Sequence, residues 1–86
     1  MKVHMVMALM LDNRYQEAAK VQDALTKNGC IINARLGLHE IGDECAANGL
    51  ILLHLYGTQA EVDTLVSDLK GVPGVKVKTL ELDYDR

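Results

Sequence analysis

The chain has no Trp and no Phe, one Pro, two Cys and no run of basic residues. Each shortage closes off a class. With three Tyr as the only aromatics in 86 residues, the core has to be aliphatic. Nine Lys and Arg are scattered among twelve Asp and Glu, for a net charge of -3. Phosphate backbones are held by many cations together, so direct nucleic-acid binding is not expected. The longest apolar runs, Val3–Leu11 and Leu50–Leu53, fall well short of the ~18–20 residues of a membrane span. Val3–Leu11 has the length of a signal-peptide core, but a single Lys precedes it and no clean small-residue cleavage site follows. It reads as a strand. Two cysteines make no dense disulfide framework, and free thiols fit a reducing compartment, so the expected location is cytoplasmic.

What is present is ordinary for a globular domain: 49% apolar and 24% charged residues. The length predicts one domain over 1–86. A chain this short leaves roughly a third of its unfolded-state surface exposed, so any partner surface is a large fraction of the whole.

Val3–Leu11 is continuously apolar except for His4, the pattern of a strand covered on both faces. Asp12-Asn13 breaks it, and either residue can cap a helix start. From Arg14 to Asn28, Tyr15, Ala18, Val21 and Leu25 recur at helical spacing, and Asn28-Gly29 closes the helix with a left-handed glycine. Cys30–His39 alternates, with Cys30, Ile32, Ala34, Leu36 and Leu38 on one side. Cys30 reads there as a small buried hydrophobe. After a polar connection, Leu50–Tyr56 forms a second mostly apolar strand, with His54 and Tyr56 on the face of Leu50 and Leu52. Thr58 and Glu61 then form a T-x-x-E capping box ahead of the stripe Val62, Leu65, Val66 and Leu69. Gly71–Gly74 stops that helix. Val75–Leu82 is the last strand, where a change of inward phase from Val75 and Val77 to Leu80 and Leu82 predicts a bulge near Thr79. Asp83–Arg86 is a charged tail.

The order βαββαβ predicts an α+β, ferredoxin-like fold, a four-stranded antiparallel sheet with two helices on one face. Right-handed crossovers are expected to set the first and third strands at its centre, parallel to each other. Val6, Ala8 and Met10 oppose Met5, Met7 and Leu9, and Leu50 and Leu52 oppose Ile51, Leu53 and Leu55. Helices cover one face only, so an aliphatic face is left over, and such faces mark interaction surfaces. A symmetric homo-oligomer, dimer or tetramer, is the expected state.

The chemistry-bearing residues are sparse. No nucleophile triad, phosphate loop or paired-cysteine motif occurs, so a non-enzymatic protein is expected. An enzyme would need His4 or His54 as its acid or base. Two constellations are singled out. His39 and Cys45 bracket the connection after the second strand, and imidazole with thiolate suits Ni or Zn, the remaining ligands coming from His4, His54 or a second subunit. Asp12 and Asn13 sit where a strand feeds a helix N-terminus, whose free N–H groups can hold an anionic effector.

The segment GLILLHLYGTQAEVDTLVSDLKGVPGVKVKTLEL, from Gly49 to Leu82, together with RLGLHE at Arg35–Glu40, resembles the iron-only hydrogenase system regulators. That family is ACT-like and related in fold to the C-terminal domain of the nickel-responsive repressor. The resemblance implies a small module for transcription regulation that binds an effector at an oligomer interface, and places Asp12-Asn13 at the ACT ligand loop. The Pro-Gly that often follows there is Arg14-Tyr15 here. Of the repressor's His-x-His-x5-Cys pattern, His39 and Cys45 match the second and third members, and Gly37 stands at the first.

Overall fold

Residues 1–12, 15–38 and 48–82 are described in a computed structural model of the chain. Strand β1 (Lys2–Asp12) leads to helix α1 (Ala18–Lys27), a 3-10 turn (Gly29–Ile31) and β2 (Ile32–Leu38); β3 (Asn48–Thr58), α2 (Gln59–Lys70) and β4 (Val75–Leu82) follow. The sheet order is β2-β3-β1-β4, and every neighbouring pair is antiparallel. This is the expected ferredoxin-like α+β architecture. The central pair β1 and β3 runs antiparallel, not parallel. Each crossover helix makes the two strands it joins parallel, and the reversal between β2 and β3 then opposes β3 to β1. No helix among the described residues is long and apolar enough to cross a membrane.

The core lies between the sheet and the helices. Met5, Met7 and Leu9 of β1 and Leu53 and Leu55 of β3 meet Val21, Ala24 and Leu25 of α1 and Val62, Leu65 and Leu69 of α2, all buried. The α2 stripe is as its spacing predicts. Its capping box is complete: the Glu61 N–H donates to Thr58 Oγ1 at 3.2 Å, and the Thr58 N–H donates to Glu61 Oε1 at 2.9 Å. The Thr58 backbone N–H, then its hydroxyl, hold the Glu61 carboxyl below its ordinary 4.5, with the Lys2 ammonium adding a smaller pull. A depressed folded value means the carboxylate stabilises above 4.5 and ceases to do so as pH falls through the folded value. The stability gap between the wild type and Glu61→Ala is therefore expected to close in acid, as read from urea midpoints at neutral and acidic pH. A gap that widens in acid would contradict the cap.

Four local readings need correction. Helix α1 begins at Ala18 with Glu17 at its N-cap, not at Asp12-Asn13, and Tyr15 and Ala18 are exposed while Ala24 is buried. Gly29 does not take the left-handed form; the Asn28 amide instead closes α1, donating to the Ala24 carbonyl at 2.8 Å and to Asp68 of α2 at 3.0 Å. Cys30 lies in the 3-10 turn and is exposed. The predicted bulge near Thr79 is absent, since β4 keeps unbroken register with β1; the irregularity falls between Ile32 and Ala34 of β2. It turns Ile32 to the helix side, where it packs on the core, and Ala34 to the other.

Two glycines are fixed by close approach. A Cβ on Gly57 would stand 2.6 Å from the Cγ2 of Ile31, whose buried side chain crosses the strand there. Gly57→Ala is expected to cost about 1–3 kcal/mol by overpacking, measured by urea unfolding, with Ile31→Ala in the same chain relieving part of it. Gly74 is left-handed at φ 80 and lies against the Tyr15 ring. Its carbonyl accepts from the Asp12 N–H at 2.9 Å, which ties the end of β1 to the start of β4.

Candidate functional site: the helix-free sheet face

The strand pleat sends even-numbered residues of β1, β3 and β4 away from the helices. The register lines them up in rows across the sheet: Tyr56, His4 and Leu82; Ala34, His54, Val6 and Leu80; Leu36, Leu52, Ala8 and Lys78. A further row adds Leu50, Met10 and Lys76. The face is aliphatic across its middle, with Lys76 and Lys78 along the β4 edge. Leu36 (54%), Leu80 (63%) and Leu82 (49%) are among its most exposed side chains. The sequence reading placed Leu80 and Leu82 inward. Their row partners His4 and Val6 settle that they face out, which removes any need for a bulge. Alternation carried unbroken through Thr79 was the signal available in the sequence.

A pair of histidines sits near the middle of this face. His4 Nδ1 and His54 Nε2 are 3.0 Å apart. Their ring planes differ by 12° and their centroids stand 5.2 Å apart, so the rings meet edge to edge along an N–H···N hydrogen bond. One nitrogen carries the proton and the other accepts it. A metal ion between these two nitrogens would require both rings to turn. The other side of His4 lies against the Tyr56 ring at 4.5 Å, and the Lys2 ammonium stands 5.3 Å from that ring's centroid. The two histidines, on neighbouring central strands, share this face. The pair hydrogen bond satisfies one nitrogen of each ring.

Beside this pair runs a groove of about 240 Å3 lined by Val6, Ala34, Leu36, Leu52 and His54 among others. Ala34 is the smallest of the side chains that line it. The Arg35 guanidinium bridges instead to α1, donating to Gln22 Oε1 at 2.8 Å.

The other candidates are less developed. Asp12 ends β1 beside a cleft formed with Leu11, Glu17, Ala18, Pro73, Gly74 and Val75, about 10 Å3 in volume. That is room for about one water molecule. The Glu17 carboxylate in this cleft is paired with the Lys20 ammonium at 2.9 Å. Asn13, His39 and Cys45 lie outside the described residues. Among the described residues no group of three or more His, Cys, Asp or Glu is placed to hold a metal ion.

No family model matches the chain, and no curated protein matches it. Solved structures do. Uncharacterized protein TM1266 from Thermotoga maritima superposes with a TM-score of 0.86 at 22% identity, over 96% of this chain and 100% of that one. The C-terminal domain of the MgtC protein from Mycobacterium tuberculosis gives 0.67 at 17% identity, over 98% and 92%. A functionally unknown protein from Pediococcus pentosaceus gives 0.57 at 16%, over 96% and 94%. At these identities the likeness establishes the fold and nothing narrower.

Proposed function

We propose that the chain is a small, non-enzymatic regulatory module of the reducing cytoplasm that self-associates through the helix-free face of its sheet. It resembles the iron-only hydrogenase system regulators, and that resemblance supplies the regulatory role. The observation that carries the self-association is the row structure of the uncovered face, with Leu36, Leu52 and Ala8 in one row and Ala34, Val6 and Leu80 in the next. A small effector or a protein partner then acts on the assembled form. For the effector, Asp12 and Asn13 are the candidate residues; the 10 Å3 cleft beside Asp12 has to widen, or be completed by a second subunit, to admit one.

Methyl NMR on dilution tests the reading. The methyl signals of Val6, Ala8, Leu50 and Leu52 are expected to shift as the protein is diluted, while those of Val62, Leu65 and Leu69 hold still. Shifts confined to the helix side, or none at any concentration, would overturn it.

A further inference from the structure

We infer that the occupant of the helix-free face is a second copy of this chain, related by a two-fold axis running along the strands, so that Leu80 of each copy enters the groove beside Ala34 of the other. This rests on the self-association proposed above and specifies its geometry.

Size comes first. Four strands about 4.8 Å apart and about eight residues long, at about 3.3 Å per residue, make a face of about 500 Å2. Two such faces bury about 1,000 Å2, the lower limit for a specific interface. A second copy is therefore large enough to cover the face and small enough to leave no unmatched surface on its partner.

Shape comes next. The row Ala34, His54, Val6 and Leu80 crosses the sheet near the middle of β1, with the smallest side chain at one edge and an exposed leucine at the other. An axis along the strands, through the seam between β1 and β3, exchanges β2 with β4 and keeps each row opposite itself. Leu80 then stands over Ala34, and Val6 over His54. In the next row Lys78 lies over Leu36, which its methylene stem can cover while the ammonium reaches solvent. One nitrogen of His54 is already hydrogen-bonded to His4 within its own chain, which lowers the cost of placing the ring under Val6.

Charge selects this axis over the alternative. An axis across the strands would stack β4 on β4 and gather Lys76 and Lys78 of both copies along one edge. The strand-parallel axis puts the two lysine pairs on opposite edges. Packed sheets keep their strands within about 30° of alignment, and a near-central row is the one least displaced by that angle.

A size exchange tests the pairing. Within one chain Ala34 and Leu80 are three strand spacings apart, about 14 Å, too far to couple directly. Ala34→Leu alone fills the groove and is expected to raise the dimer dissociation constant about tenfold or more. Leu80→Ala alone weakens the dimer less. The double variant moves the leucine to the other edge and is expected to return the constant to within a few-fold of wild type. Sedimentation equilibrium reads the constants, and circular dichroism checks that each variant folds, both positions being exposed. Losses that simply add in a dimeric protein would overturn this pairing and leave self-association standing. A wild-type chain that is monomeric at every concentration would instead remove the reading on which the pairing rests.

Discussion

Leu52→Lys is expected to give a folded monomer, whereas Leu53→Lys, one residue along the same strand, is expected to abolish folding. The two leucines differ only in the face they serve. Leu53 is 2% exposed and packs in the core between sheet and helices. An ammonium there has no partner, and burying an unpaired charge costs several kcal/mol. Against a total stability of about 4–13 kcal/mol at 0.05–0.15 kcal/mol per residue, little folded protein would remain. Leu52 points to the helix-free side and is only half-buried in the single chain. A lysine there can reach water in the monomer but not under a second sheet. Light scattering and circular dichroism on both variants check the pair. An oligomeric Leu52→Lys protein, or a folded Leu53→Lys protein, would contradict the assignment of faces.

The second large effect is expected at Leu65. Its side chain is fully buried on the inner stripe of α2, so Leu65→Ala removes apolar contacts and leaves a cavity that the sheet cannot close. The expected cost is about 2–5 kcal/mol, a large share of the total. Val66, next to it in the chain, is only half-buried, and Val66→Ala is expected to cost about 1 kcal/mol. Urea unfolding of both measures the contrast. Equal losses would mean that α2 is rotated relative to the sheet.

Much of this was legible in the sequence because local signals agreed with the global fold. The Thr58–Glu61 box, the Val62–Leu69 stripe and the turn at Gly71–Gly74 each depend on a few neighbouring residues, and each appears as read. The two-faced strands were also legible, since a pleat makes even and odd positions separate surfaces whatever the tertiary context.

The misreadings arose where tertiary contacts outrank local preference. Asp12-Asn13 has good capping chemistry, but the Asp12 N–H is engaged by the Gly74 carbonyl at 2.9 Å, and the chain runs on to Glu17 before α1 starts. A bulge in β4 follows from the pattern only if its leucines must face the core. They face out because the helix-free side is itself apolar, and the true irregularity is in β2, which has to turn Ile32 inward after the 3-10 turn. Cys30 fits the alternation of β2 but precedes the strand, in the exposed 3-10 turn. At the candidate site, the approach of His4 to His54 follows from parity and pairing, but their in-line hydrogen bond depends on side-chain rotation that no spacing encodes.

The most direct test of the central claim is the solution mass of the chain across a dilution series, by light scattering or sedimentation. A species of at least twice the 9.5 kDa chain mass is expected, dissociating on dilution or on Leu52→Lys substitution. A mass of 9.5 kDa at every concentration would contradict it.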